Sequence, residues 1–311
     1  MMRSAIVRAG TTTIAMGVSL ALACVPGAAT AATPEFTRAD RILVVAPHPD
    51  DETLCCSGFM QHALAAGASV QIIWVTSGDA FELDAALVER RLIPGRTSMR
   101  KLAEDRMLEA NAAASALGVD QAYRYFLGFP DRGIKQLLTV NYYRTYSSRY
   151  TGASAVPYPE AVARGTEYRG QYLEQQLEDL VRQIQPTMIL VPTPLDRHPD
   201  HGAVGEFMIR VMARLGMQDR ARYWIVHGGR EWPAPRRYRP ASPLAPPAVA
   251  AALPWTPLPL SASDRAVKLA TLRLYKTQWK VMEPFLASFV RTNELFSETA
   301  IPPEPELPRL D

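Results

Sequence analysis

The chain has 311 residues, 48% hydrophobic and 21% charged, with 34 basic and 31 acidic residues and a formal net charge of +3. This length can bury the core of one large domain or two modest ones, and the composition is that of a globular protein, not a disordered one. The near balance of charge gives no electrostatic reason to expect nucleic acid or an anionic membrane surface as the partner.

The first 31 residues have the features of a secretory signal peptide. Two arginines precede a short apolar stretch, Thr12 to Pro26, and an A-x-A cleavage signal ends at Ala31. The stretch is too short for a transmembrane span. We therefore predict that the mature protein, residues 32–311, is secreted or periplasmic. A lipoprotein acylated at Cys24 is the alternative.

Cleavage after Ala31 removes two arginines, which lowers the basic count from 34 to 32 and the net charge from +3 to +1. It also leaves Cys55 and Cys56 as the only cysteines. Because adjacent cysteines rarely form a disulfide without strain, a disulfide scaffold is excluded. We expect both to be small buried residues on the first helix.

Strands and helices alternate along the chain. Apolar runs of strand length and segments of helical periodicity predict, in order, strand Ile42–Ala46, helix 53–67, strand Val70–Thr76, helix Met99–Leu117, strand Tyr123–Leu127, helix Tyr168–Ile184, strand Met188–Pro192, helix Gly202–Leu215 and strand Tyr223–Val226. This alternation predicts an α/β fold, a Rossmann-like open and mostly parallel sheet with helices on both faces. Ligands of such sheets bind beyond the carboxyl ends of the strands.

Other parts of the chain depart from this pattern. Residues 130–167 have little periodicity and predict a long loop near the mouth of the site. Residues 233–260 are rich in proline and are expected to run extended over the surface. A C-terminal helical segment, 263–297, follows. We interpret 32–311 as one domain with a core at about 41–230.

Two short motifs, each with a histidine and carboxylates, come directly after predicted strands. HPDDE begins at His48, after the first strand, and HPDH begins at His198, after the fourth. Nitrogen and carboxylate ligands suit zinc, and three protein ligands leave a position for water, which then loses a proton near neutral pH. The remaining carboxylate and imidazole groups supply a general base and a general acid. The residues therefore indicate metal-assisted hydrolysis.

The paired motifs resemble those of the PIG-L/LmbE-like zinc-dependent N-deacetylase family. The resemblance continues in RMLEANAAASALGV, FLGFPDRG, LYKTQW and FVRTNELF, and covers most of residues 41–297 apart from 130–167 and the proline-rich stretch. It implies a hydrolase that removes the N-acetyl group from an N-acetylglucosamine-containing substrate.

The resemblance also implies the metal site. The corresponding zinc ligands are His48, Asp51 and His201, with one Zn²⁺ per chain; another divalent metal is the alternative. Asp50 corresponds to the general base that deprotonates the water. This division is physically economical, because successive side chains diverge and two neighbours cannot easily both be close ligands.

The second motif is implied to supply the other catalytic groups. His198 corresponds to the residue that stabilises the oxyanion and protonates the leaving amine. Asp200 is implied to orient His198 and fix its tautomer.

Four further residues have a functional and a structural interpretation. Arg106 matches a substrate-facing arginine of the family, although arginines on long helices are usually solvated. Asp131 matches a carboxylate that binds sugar hydroxyls, or else forms a turn. His227 ends the fifth strand and either reaches the site or is a hydrogen-bonded structural histidine. Glu52 is expected to support the start of the first helix.

Competing functions remain at this point. One is an amidase for a larger N-acyl group, such as an acylated antibiotic or thiol conjugate. Another is a carbohydrate-binding protein without turnover, which would need neither Asp50 nor His198. A metallophosphatase is the least favoured alternative, because such sites commonly use two metals and more ligands. The expected partner is a small-molecule or glycan substrate, with no nucleic acid and no transmembrane span; the sequence leaves the oligomeric state open.

Overall fold

The computed structural model describes Met1, residues 35–81 and residues 95–302. The predicted signal peptide beyond Met1, with Cys24, lies outside the described residues. Residues 35–81 and 95–302 belong to one compact unit, and the account below concerns that unit. Within these ranges, no helix combines the length and the hydropathy needed to cross a bilayer.

The described residues form a seven-stranded sheet of order β3-β2-β1-β4-β5-β7-β6. Its strands are β1 (Arg41–Ala46), β2 (Ser69–Thr76), β3 (Arg124–Phe129), β4 (Met188–Pro192), β5 (Ala221–Trp224), β6 (Trp255–Pro259) and β7 (Asn293–Ser297). The first five are parallel, whereas β7 pairs antiparallel with both β5 and β6. The predicted α/β class with a mostly parallel sheet is confirmed.

The helices of the described ranges connect these strands. They are α1 (Asp51–Ala65), α2 (Arg96–Leu117), α3 (Ile134–Leu138), α4 (Gly170–Ile184), α5 (Pro199–Leu215), α6 (Ala262–Leu272) and α7 (Lys276–Ala287). Each of the nine elements predicted up to β5 is present, with ends that differ by no more than three residues. Continuous apolar runs gave the strands, and Ile42–Ala46 of β1 is fully buried.

The strand order determines where the site lies. From β1 the chain moves outward in one direction through α1 and β2 to β3, and from β4 it moves in the opposite direction through α5 to β5. Right-handed crossovers therefore place α1 and α2 on one face and α4 and α5 on the other. The order reverses between β1 and β4, so the loops after these two strands open a crevice at the carboxyl edge.

The expectations for the C-terminal half were partly wrong. The proline-rich stretch 233–260 does not only run over the surface, because its last residues form β6. The segment predicted as helical, 263–297, contains α6 and α7 but ends in the strand β7. Prolines are tolerated in β6 because it is an edge strand with one neighbour, so half of its backbone donors need no ladder partner.

Residues 130–167 are mostly loop and turn, as predicted, and Asp131 and Arg132 line the cavity, but the loop is packed against the core. They begin with α3, and Val156, Tyr158 and Ala161 are buried against the core. The segment is held by local turns such as the hydrogen bond from Val156 N–H to Thr166 O, 2.9 Å. Local turns have no regular period, which explains the absence of a periodic signal.

Cys55 and Cys56 are buried in α1, as expected, but they are joined by a disulfide. The prediction that they stay unbridged rested on the usual Cα separation of bridged cysteines, about 4.4–6.8 Å. Here the Cα atoms are 3.8 Å apart, as neighbours must be. The bond joins adjacent residues and closes no long loop of chain, so the absence of a disulfide scaffold still holds.

Candidate metal centre and active site

Three donor atoms from the two motifs meet at the crevice. His48 Nδ1 lies 3.2 Å from Asp51 Oδ2 and 3.2 Å from His201 Nε2, and these last two atoms are 3.1 Å apart. All three side chains are buried, and His201 is fully so. Two imidazole nitrogens and a carboxylate oxygen at this spacing require a proton or a cation between them.

The donor set fits zinc. Tetrahedral zinc has bonds of about 2.0–2.2 Å, so its ligand atoms are roughly 3.3–3.6 Å apart. The separations of 3.1–3.2 Å among His48, Asp51 and His201 are within a few tenths of an ångström of that spacing. Mixed imidazole and carboxylate donors are also the chemistry that zinc accepts.

Asp196, which was not predicted as a site residue, contacts the third donor residue, His201, through its carboxylate. Asp196 Oδ2 lies 3.1 Å from His201 Nδ1 and accepts the N–H groups of Val226 and His227 at 2.9 and 3.0 Å. Its Oδ1 accepts the N–H of His198 at 2.9 Å. A proton on Nδ1 of His201 leaves Nε2 as a free donor atom. The signal was available, since Asp196 lies two residues before HPDH.

The other nitrogen of the first histidine also meets carboxylates. His48 Nε2 lies 3.2 Å from Asp131 Oδ1 and 3.5 Å from Asp200 Oδ2. Burial opposes protonation, but the neighbouring carboxylates raise the pKa of His48 well above its ordinary value. Asp131 also accepts the N–H of Ala80 at 3.2 Å, and its own N–H donates to Asp79. Asp131 therefore supports His48 directly while it lines the cavity.

The prediction for Asp200 was wrong about the group involved. Its carboxylate accepts the N–H groups of Arg132 and Ile134 at 2.5 and 3.1 Å, so it holds the loop after β3. Its backbone N–H, not its carboxylate, donates to His198 Nδ1 at 3.3 Å. The reason is the position of Asp200 in the first turn of α5, whose amides point back to the capping residue His198. The contact leaves the proton of neutral His198 on Nε2.

Asp50 has an unusual backbone. Its φ of 109° lies in the left-handed region, which costs a residue with a side chain about 1–3 kcal/mol. This conformation turns Asp51 toward the histidines and leaves Asp50 facing the cavity. Burial and the adjacent charge of Asp51 raise the pKa of Asp50 well above its ordinary value. Among the described residues, the nearest cation is Arg106 Nη2, 3.8 Å from Asp50 Oδ2.

Arg106 is buried and not solvated. Its guanidinium donates to Gly78 O at 3.0 Å and Pro49 O at 2.8 Å, which joins the loops after β1 and β2. A side chain at residue 78 would be strained at its φ of +70° and would displace Arg106, because a Cβ there would lie 2.0 Å from Arg106 Nη1. Arg106 thus both lines the cavity and fixes the loop that carries Asp50.

A cavity of about 200 Å³ opens over these groups. Seven of the nine predicted site residues line it; His201 and Asp200 lie behind its wall. Burial and neighbouring histidines lower the pKa of His198 to about 2 and that of His227 to about 4, which favours neutral rings. The apolar part of the wall is formed by Leu54, Phe81, Val226, Met282 and Phe285.

Glu52 has the structural role that was expected. Its carboxylate accepts the indole N–H of Trp74 at 2.8 Å and the hydroxyl of Tyr275. It also accepts the N–H of Asp50, at 3.3 Å, beside the start of α1. The side chain is fully buried and does not line the cavity.

Comparison with known proteins agrees with this geometry. The profile of the family described as PIG-L, GlcNAc-PI de-N-acetylase, matches residues 43–212, which contain both motifs. A 1D-myo-inositol 2-acetamido-2-deoxy-alpha-D-glucopyranoside deacetylase of Actinosynnema mirum is 27% identical over 266 residues, 80% of this chain and 84% of the relative. The Corynebacterium jeikeium protein of the same name is 28% identical over 186 residues. That match spans 56% of this chain and half the length of the relative.

A solved structure shares the fold. The N,N'-diacetylchitobiose deacetylase of Pyrococcus horikoshii superposes with a TM-score of 0.50 at 18% identity, over 83% of this chain and 82% of that one. At this identity the likeness supports the chain path and the strand order alone.

Proposed function

The chain belongs to the PIG-L family, and from that premise we propose that it is a zinc-dependent hydrolase that removes the acetyl group from an N-acetylglucosamine-containing substrate. The observation that carries the proposal is that donor atoms of His48, Asp51 and His201 lie 3.1–3.2 Å from one another, next to a cavity lined by Asp50 and His198. A site that only bound sugar would need neither an acidic group nor an imidazole next to its metal ligands.

His48, Asp51 and His201 would hold the zinc ion. When bound, zinc lowers the pKa of a water molecule and polarises an amide carbonyl. Asp196 and Asp131 keep the two imidazoles in the required orientation through their outer nitrogens.

Asp50 is the group that moves protons. Its carboxylate faces the cavity and accepts no hydrogen bond among the described residues, so it is available to take the proton of the attacking water. Burial and the charge of Asp51 raise the pKa of Asp50, which makes its carboxylate a stronger base toward that water, and His198 remains the proposed donor to the leaving nitrogen.

His198 is placed to stabilise charge on the reacting carbonyl. Because Nδ1 accepts the N–H of Asp200, the Nε2–H of the neutral ring is the donor that remains. A positioned donor of this kind contributes when negative charge develops on the carbonyl oxygen. The apolar wall that includes Leu54 and Met282 suits the methyl group of a small acyl chain.

The test is hydrolysis by the purified protein of N-acyl amines that differ in acyl length and in the amine. We expect about one zinc per chain, release of acetate from N-acetylglucosamine derivatives, and loss of activity with a chelator that zinc restores. Faster release of long acyl chains than of acetate would instead support the amidase alternative. Activity that is indifferent to chelators would overturn the metal assignment.

We also propose that the mature protein is secreted or periplasmic, on the strength of the A-x-A signal that ends at Ala31. The test is N-terminal sequencing of protein recovered from the cell envelope and the medium. A mature chain that begins at Ala32 supports export; an intact chain found only in the cytoplasm contradicts it.

A further inference from the structure

A second cavity, of about 310 Å³, opens beside the first. The two cavities share His198, His227 and Phe285 in their walls. The outer wall of the second carries three guanidinium groups, those of Arg197, Arg230 and Arg236. We call this cavity the basic cleft.

The basic cleft carries a net positive charge in the described part of the chain. No Asp or Glu of those residues lines the cleft, and none of its three arginines forms an ion pair with a described carboxylate. Glu231, which follows Arg230 in the chain, is a nearby negative charge that acts on Arg236, but it forms no ion pair with the three arginines and does not line the cleft. Three like charges around one concavity repel each other and raise the local concentration of anions.

One of these arginines is held in place. The Arg236 guanidinium lies 4.3 Å from the centre of the Phe285 ring, and Nη1 donates to Arg230 O at 2.9 Å. The loop that carries it is tied to the protein body by Arg291, which is buried and donates to Pro235 O at 2.8 Å. A guanidinium fixed in this way loses less conformational entropy on binding than a free surface side chain.

The basic cleft is also close to the candidate chemistry. The Phe285 ring stacks on His227 with centroids 5.8 Å apart, and His227 lies 4.6 Å from the His201 ring. A single molecule can therefore place an acetamido group in the first cavity and a substituent in the cleft.

We propose that the basic cleft binds a phosphate ester carried by the same substrate whose acetamido group enters the first cavity. This proposal rests on the proposed function and names its substrate class, an anionic N-acetyl amino sugar. Phosphate is favoured over carboxylate because a phosphate monoester has three terminal oxygens and up to two negative charges to set against three guanidinium groups, whereas a carboxylate has two oxygens and one charge.

The kinetic test compares two substrates of the zinc-loaded protein at constant ionic strength, N-acetylglucosamine 1-phosphate and the neutral methyl N-acetylglucosaminide. We expect a KM about tenfold lower for the phosphorylated sugar. Arg236→Gln should reduce the ratio of the two kcat/KM values about tenfold, and Arg230→Gln should reduce it as well. Arg237→Gln is the matched control, because Arg237 is exposed in the same loop but does not line the cleft.

A binding measurement keeps this proposal separate from the proposed function. Calorimetry with glucosamine 1-phosphate and glucosamine needs no turnover, and we expect tighter binding of the phosphorylated sugar that weakens as salt is added. Such binding without hydrolysis of any N-acetyl sugar would uphold the cleft and overturn the deacetylase. Equal binding and equal KM for both sugars, with acetate released from each, would overturn the cleft and uphold the deacetylase. An equal effect of Arg237→Gln and Arg236→Gln would also overturn it.

Discussion

The parallel region, β1 to β5 with α1 to α5, and the C-terminal region, β6, α6, α7 and β7, divide the work of the site. Eight of the nine predicted site residues lie on the parallel region or its loops, and the ninth, His227, comes just after β5. The C-terminal region supplies none of them. It supplies apolar wall, from Met282 and Phe285, and buried polar contacts to α1.

Those contacts reach the helix that begins with Asp51. Glu294, on β7, accepts the N–H groups of Gly58 and Phe59 at 2.9 and 3.0 Å. Lys268, on α6, donates to Glu294 at 2.7 Å and to a carbonyl of α1, and is fully buried. The comparison indicates that one region carries chemistry and the other holds it in position, so substitutions in the two should have separable effects.

The largest effect is expected at the third candidate ligand. His201→Ala removes one of three donors, so we expect loss of zinc and of at least about 10³-fold in activity. Metal analysis and acetate release measure both. His62→Ala is the control, because His62 also lies on a buried helix but pairs with Asp264 away from the cavity. Zinc at the normal level in His201→Ala would contradict the ligand role.

Asp50→Asn should separate catalysis from metal binding. The amide keeps the shape of the side chain but cannot take a proton, so kcat should fall by about 10²–10⁴ while zinc stays bound. Stopped or steady-state assays with parallel metal analysis measure this. If the variant turned over at the normal rate, another group would have to be the base.

Glu294→Ala should lower the stability of the protein and leave zinc binding unchanged. It leaves the Lys268 ammonium buried without its partner, so the free energy of unfolding should fall by about 3–5 kcal/mol. Denaturant titration measures this. The double variant Lys268→Met with Glu294→Leu is the control and should recover much of the loss. The protein that remains folded should bind zinc normally; loss of zinc there would break the proposed division between the regions.

Asp196→Asn should weaken zinc binding by about 10–100-fold, because the amide supports the required tautomer of His201 less well than the carboxylate. Competition with a chelator of known affinity measures it. Asp264→Asn, beside His62, serves as the matched control. An unchanged affinity would show that Asp196 serves only the backbone of the loop that leads to His227.

The smallest effect is expected for Tyr275→Phe. Loss of its hydrogen bond to Glu52 should lower the free energy of unfolding by about 1–2 kcal/mol, with little change in kcat. Tyr143→Phe is the control, because Tyr143 is 72% exposed. A large fall in kcat without a fall in stability would show that Tyr275 contributes to catalysis and does not only stabilise the fold.

The sequence predicted the parallel region better than the C-terminal region for physical reasons. Strands buried on both faces are continuous apolar runs, and the carboxyl ends of parallel strands meet at one edge of the sheet. The sequence therefore predicted that His48 and His201 lie close together. β6 contains Pro257 and Pro259, and its neighbour β7 is short and polar, so neither had a strand signal.

The residues that hold the candidate metal ligands in position were harder to predict than the ligands themselves. Asp131 was identified from its motif, but its contact with His48 follows from the fold, and Asp196 was missed although it lies two residues before HPDH. The carboxylate of Asp200 was assigned to a sequence neighbour, His198, although it contacts Arg132 and Ile134 across the sheet edge. Local motifs identify the reactive side chains, but the fold determines which residues contact them.

The backbone at Asp50 implies a conflict between folding and reactivity. A glycine would adopt its φ of 109° without strain, and would thereby relax the turn that leads from β1 into α1. The same change would delete the proposed proton carrier. The protein therefore keeps a strained backbone conformation at the position where an acidic side chain is needed. The hydrogen bond from Arg106 to Pro49 O is one of the contacts that hold this turn.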